Sequence, residues 1–192
     1  MPYTYDEATP VTPKGRRTRE ALLQAGEIVA ERAGLTGLSI AAVAAQAGVA
    51  KGTFYLYFED RGSFIDALHQ RFYGHVTEAV SKAVGDMSPG RELLLAAVDA
   101  YLDVCLRNHA VKALVFETRA QNALTTTMQE REALFARLAE PSMRALGLTP
   151  APIAARLVVA LVSEAALIEM EAGRKVDGAR KSIAKLLDTS PS

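Results

Sequence analysis

The sequence predicts an all-α protein. Apolar residues recur at three- and four-residue steps over most of its 192 residues, and no stretch alternates with period two through β-branched residues. Gly34, Gly48 and the turn Ser88-Pro89-Gly90 punctuate the chain so that the segments between them have helical rather than strand-like length.

Taken in order, residues 1–13 hold three prolines and no periodicity, and read as a flexible arm. From Arg16 onward Leu22, Ala25, Val29 and Ala33 make one apolar face, and Gly34 fits the position just past a helix end. Ser39 is a good N-cap for a short second helix with Ile40, Val43, Ala44 and Ala47 on one side. Gly48-Val49 breaks it, and a third short helix is expected over 50–57. Asp60 should cap a long fourth helix reaching about residue 84. Further helices are expected near 91–106, 110–120, 127–146, 152–172 and 178–187, with Pro141 kinking or splitting its own.

Composition narrows the function classes. The chain is 49% hydrophobic and 23% charged, has no Trp, and carries zero formal net charge, so any affinity for nucleic acid must be local. A single cysteine, Cys105, excludes an intrachain disulfide and a cysteine-built zinc cage, and fits a reducing cytoplasm. No apolar leader is visible at the N-terminus, and the apolar run from Leu157 to Ile168 is short of the ~20 residues a membrane span needs. The expectation is a soluble cytoplasmic protein with no membrane partner. Nucleophile-elbow, phosphate-loop, zinc-protease and dinucleotide signatures are absent, and His69, His75 and His109 lack the i, i+4 spacing of a helical metal pair. No enzyme, metal or cofactor is expected. Asp99 and Asp103 share a helix face with Arg91 and Arg107, which reads as a solvated ion-pair face.

The informative stretch is Ser39 to Phe58, SIAAVAAQAGVAKGTFYLYF. Physically it is two short helices joined by a tight turn. Ala44 lies where they cross, Gly48 supplies the positive φ the turn needs, and Val43, Ala47, Val49 and Phe54 meet beneath it. Lys51, Gly52, Thr53, Tyr55 and Tyr57 then face mostly outward, on a helix short enough to enter a major groove.

The run AGVAKGTFYLYF, preceded by TREALLQAGEIVAERAG, resembles the DNA-binding domain of the tetracycline-repressor (TetR) family over about residues 16–68. The resemblance implies a domain order: the arm over 1–13, a three-helix helix-turn-helix domain over 14–60, and a larger helical domain over 61–192 that binds an effector and dimerises. It also implies that Ser39 to Ala47 positions, that 50–57 recognises, and that the long fourth helix links reader to sensor. Two departures stand out. Ala50 replaces the usual Ser or Thr before the lysine, removing a cap worth about 1 kcal/mol. Arg61-Gly62-Ser63 replaces the usual Lys-Glu-Glu.

On that footing the expected DNA-binding residues are Arg16, Arg17, Ser39, Lys51, Gly52, Thr53, Tyr55, Tyr57 and Arg61. Lys51 suits a phosphate or a guanine edge, and Thr53 a base edge or thymine methyl. Gly52 permits close approach, while Tyr55 and Tyr57 suit phosphates, one of the two being a candidate for the core. Lys14, Arg16, Arg17 and Arg19 form the densest basic cluster, and seven basic against five acidic residues from Lys14 to Arg61 leave a modest local excess. The expected partners are double-stranded operator DNA, a second copy of the chain and a small-molecule effector. Tyr101, Cys105, Phe116, Arg119, Asn122 and Phe135 are candidate effector contacts. Leu157, Leu161 and Ile168, with Ile183 and Leu187, are expected at a two-fold four-helix interface, because the penultimate helix is apolar most of the way round. The competing expectation is a helical regulator that works without a ligand, or an interaction module that only retains the helix-turn-helix.

Overall fold

A computed structural model describes residues 12–108, 111 and 125–188, the side chains of 125–130 excepted. The described residues form eight helices and no strand. They are α1 (Pro13–Gly37), α2 (Ile40–Gln46), α3 (Lys51–Phe54), α4 (Arg61–Val84), α5 (Arg91–Arg107), α6 (Thr125–Ala145), α7 (Ala151–Ala172) and α8 (Asp177–Leu186). The all-α expectation holds. The helix expected over 110–120 and nearly all of the arm lie outside the described residues.

The chain divides into two compact units, one running to Phe72 and the other taking up most of the chain from Tyr73 onward, with α4 contributing residues to both. In the first unit α1 begins at Pro13, earlier than the periodicity suggested. Thr12 accepts a hydrogen bond from the Gly15 N–H at 3.1 Å, and proline in the first turn loses no helical bond. The body of α1 ends where expected, at Gly34 with φ 60°. Ser39 caps α2 by accepting from the Ala42 N–H at 3.2 Å. Past α2, the Gly48 N–H bonds the Ala45 carbonyl and the Val49 N–H bonds the Ala44 carbonyl, a Schellman turn with Gly48 at φ 68°.

Asp60 caps α4 as expected, and more completely than the sequence suggested. Its carboxylate accepts from the Ser63 N–H at 2.8 Å while the Ser63 hydroxyl accepts from the Asp60 N–H at 3.2 Å. Ser63 therefore serves the reciprocal-cap role that an acidic side chain usually fills. Along α1, a Cβ on Gly26 would come within 2.5 Å of the Phe64 ring, so glycine there is what lets α4 lie close. Arg71 of α4 pairs with Glu20 and Glu27 of α1, fastening the same two helices.

In the second unit α6 runs unbroken through Pro141, against the expectation of a split. Pro141 is exposed and lies in the closing turns, where water can serve the carbonyl its missing N–H leaves over. Helix α7 packs against α5 and α6 through Ala155, Val162, Ala165 and Ala166. By length and composition α7 is apolar enough to cross a membrane, with mean hydropathy 1.9 over its best 18-residue window. The apolar stretch is thus longer than the run from Leu157 to Ile168. The same composition is found in core helices of proteins in water.

Candidate nucleic-acid interface and companion surfaces

The outward face of the first unit is defined by what packs inward. Phe54 and Phe58 turn into the core and meet Phe64, with centroid separations of 5.4, 5.2 and 4.9 Å. The chain keeps winding past α3, through bonds from Leu56 N–H to the Thr53 carbonyl and from Tyr57 and Phe58 N–H to the Phe54 carbonyl. Lys51, Gly52, Tyr55 and Leu56 are left exposed, with Thr53 and Tyr57 half-buried. Neither tyrosine joins the core, since Phe58 and Phe64 already supply its aromatic volume. Of the four residues expected beneath the turn, Val43 and Phe54 are fully buried while Ala47 and Val49 are half-covered.

Gly52 is the informative position. A Cβ there would meet no atom within 4 Å, and its backbone is not in the positive-φ region. Glycine inside a helix costs about 0.8–1 kcal/mol relative to alanine. Among the described residues neither packing nor conformation accounts for a glycine there, as is also so at Gly74 and Gly178.

The start of α1 is a second anomaly. Lys14, Arg16 and Arg17 stand exposed in its opening turns, and the first turn itself contains no acidic residue. Cations beside the positive end of a helix dipole are unfavourable, so an anion there would relieve the arrangement. Arg19 instead lies over the Phe58 ring at 5.1 Å. The Ser39 hydroxyl is used as an acceptor by its cap and retains its proton for donation. No side chain caps α3, as Ala50 foretold.

Arg61 behaves differently from its neighbours. Its Nε donates to the Leu38 carbonyl at 2.7 Å and its Nη2 donates to the Leu35 carbonyl. These bonds pin the segment between α1 and α2, so Arg61 holds the reading helices in place rather than standing open on their surface. The sequence concealed this because both acceptors are backbone atoms over 20 residues away.

In the second unit, Tyr101 and Phe135 come together as an aromatic pair at 6.5 Å, joined by Tyr73 at 6.2 Å from Phe135. Arg131 lies over the Tyr73 ring at 4.3 Å. Burial pushes the Tyr101 hydroxyl well above its usual range, with Cys105 and Tyr73 adding to the effect and a hydrogen bond with Ser163 opposing it. Three of the six candidate effector contacts, Tyr101, Cys105 and Phe135, are therefore neighbours. Phe116, Arg119 and Asn122 lie outside the described residues. Tyr73, Arg131 and Ser163 were missed, being scattered over three helices with no shared spacing.

Along α7, Ile153, Leu157, Ala160, Glu164 and Ile168 are exposed at steps of four, three, four and four, which places them on one stripe. Leu157 is 66% exposed, and Leu161 half-buried beside it. Two of the five expected interface residues are corrected. Ile183 and Leu187 are buried in the chain's own core, and α8 offers Leu186 outward instead. A short amphipathic helix lays its best apolar positions on its own domain first, and spacing alone does not say which side that is.

The polar contacts of α8 also differ from expectation. Glu169, 1% exposed, grips Arg180 through both oxygens at 2.7 and 2.8 Å and accepts the Val176 N–H at 3.0 Å. Arg180 reaches on to Asp103 and Asp99, and Lys175 pairs with Asp103. The two aspartates thus pair across helices with α8 and its approach, not with Arg91 and Arg107 along α5. Arg91 donates instead to the Ala184 carbonyl. A lone Glu169 on the inner side of an apolar helix was the available signal.

A helix-turn-helix carried by a four-helix N-terminal unit, followed by a larger helical unit, defines a class of DNA-reading fold. Residues 22–68 match the sequence pattern of bacterial regulatory proteins of the tetR family, so the N-terminal domain is of that family's type. The HTH-type transcriptional activator FasR of Mycolicibacterium smegmatis is 28% identical over 105 residues, 55% of this chain and 48% of that protein. The HTH-type regulator YvdT of Bacillus subtilis is 37% identical over 62 residues, 32% of this chain and 31% of that one. These matches span a half and a third of the two relatives' lengths. The crystal structure of a TetR-like regulator from Rhodococcus sp. RHA1 superposes with a TM-score of 0.74 at 21% identity, covering 88% of this chain and 93% of that one. The last likeness is one of fold.

Proposed function

We propose that the chain is a homodimeric DNA-binding transcriptional regulator, most simply a cytoplasmic repressor that leaves a palindromic operator when a small molecule binds. In this reading residues 14–60 read DNA and residues 61–192 dimerise and bind the effector. The observation that carries it is Gly52, a helical glycine that no described residue packs against, set on an exposed face between Lys51 and Tyr55. A helix that must press its backbone against a phosphate strand has use for a missing side chain there. The exposed cations Lys14 and Arg17 in the opening turns of α1 support the same partner. Dimerisation is supported by the exposed, mostly aliphatic stripe of α7, and an effector by the half-buried aromatic cluster around Tyr101.

Activation is a second reading with its own support, since the Mycolicibacterium smegmatis relative is named an activator. A reporter driven by the chain's own upstream region separates the two signs. Binding is tested by gel shift on that region. Lys51→Ala is expected to weaken the complex and lower its salt slope by about one. Tyr55→Ala should weaken it too, with helical circular dichroism intact in both. Unchanged affinity in both variants overturns the reading. An effector that raises the melting temperature should weaken DNA binding about 5–150-fold, and DNA should weaken effector binding equally.

A further inference from the structure

We propose that Leu56 is a specificity residue whose side chain takes the C5-methyl of a thymine in each half-site; this rests on reading the face as a DNA reader. Leu56 is 77% exposed, more than any other large apolar residue among those described. The fold does not use it, because Phe54 and Phe58 on either side supply the inward rings. It stands four residues after Gly52 on a segment that is still winding, so the two share a face. Where Gly52 leaves the surface bare, a Cβ would meet nothing, and one turn on Leu56 projects from it. That relief lets the backbone come close to DNA while an aliphatic side chain reaches past it. Lys51 and Tyr55 flank the leucine on the exposed side and suit polar atoms of the duplex.

The occupant follows from the chemistry of the groove. Its floor offers donors, acceptors and one apolar group, the thymine methyl. A deoxyribose would also cover the leucine, but sugars are alike under every base, so such a contact would carry no base preference.

The test is selection from a randomised duplex pool with the wild-type protein and with Leu56→Ala. The wild type should enrich thymine at one pair of symmetry-related positions, and the variant should lose that preference while keeping the others. On the selected duplex, deoxyuridine at that position should cost the wild type roughly fourfold in affinity, the equivalent of about 0.8 kcal/mol for one buried carbon. Leu56→Ala should not distinguish the two duplexes. A variant that still enriches thymine there overturns the assignment, as does one that binds more weakly yet still distinguishes deoxyuridine from thymine. Loss of the helical signal in Leu56→Ala would overturn the premise that the fold does not use this residue. If the wild type enriches no sequence, the DNA reading itself fails and this assignment with it.

Discussion

The two units of this chain leave different things on their surfaces. In the N-terminal unit the residues not needed for packing are mostly cationic, hydroxylated or missing a side chain: Lys51, Gly52, Tyr55, and Lys14, Arg16 and Arg17 on α1, with Leu56 a single aliphatic among them. In the second unit the stripe left over along α7 is Ile153, Leu157, Ala160 and Ile168, with Glu164 the one charge among them. An exposed leucine is ordinary taken singly, but a stripe of aliphatics at helical spacing is suited to another protein surface. A phosphate backbone has nothing to offer such a stripe. The contrast teaches that the leftover chemistry of each unit specifies its partner, once the inward-facing residues are subtracted.

The strongest way to break the contrast is to give the second unit the first one's character. Leu157→Glu puts a carboxylate in the middle of the aliphatic stripe. In a two-fold dimer each copy would lose about 1.5–3 kcal/mol of leucine burial, and the buried charge adds to that twice. Analytical sedimentation should show monomers with unchanged helical content, and operator affinity should fall with the loss of one half-site. A variant that remains dimeric places the interface off this stripe.

The next largest effect tests whether α8 is held by chemistry the stripe does not share. Arg180→Ala leaves Glu169 buried with its charge uncompensated, a change that costs about 3–5 kcal/mol in such pairs. Thermal melting should drop accordingly. The same network gives a pH dependence. Hydrogen bonds from Arg180 outweigh burial and, with the Val176 N–H, hold the Glu169 carboxyl below its ordinary 4.5. Burial pushes the Asp103 carboxyl up, but bonds from Lys175 and Arg180 outweigh it and leave it below 3.8. A carboxyl depressed by folding stabilises the fold above its ordinary value and ceases to do so as pH falls through the lowered one. Melting temperature should therefore decline below pH 4.5, and less steeply in Arg180→Ala. Parallel declines in the two proteins would mean other carboxylates govern acid unfolding.

The same subtraction explains what the sequence made legible. Periodicity, Ser39, Gly48 and Asp60 act within a few residues of themselves, so the helices and caps of the N-terminal unit could be read directly. Arg61, Gly26 and Glu169 act on partners 23, 38 and 11 residues away, and nothing local announces which. Ile183 and Leu187 show the limit most plainly. Their spacing correctly gave an apolar face to α8, yet only the packed domain decides that this face points inward and Leu186 outward. The candidate DNA face was legible because its family motif is dense. The effector cluster was half-legible, its aromatics being visible one by one but not their assembly.

The smallest expected effect is the sharpest test of the comparison, because it should carry opposite signs in two measurements. Gly52→Ala adds one methyl group where no atom lies within 4 Å, on a backbone that an L-residue adopts freely. Helix propensity then favours alanine by up to about 1 kcal/mol, and fewer unfolded conformations contribute in the same direction. The variant should melt a few degrees higher than the wild type. If the glycine exists to admit a DNA backbone, the added methyl must push the reading helix outward, and operator affinity should fall even as stability rises. A purely structural glycine would show neither the gain nor the loss. Raised stability with unaltered DNA affinity would leave Gly52 without a partner outside the chain, and would move the closest approach of DNA to another part of the exposed face.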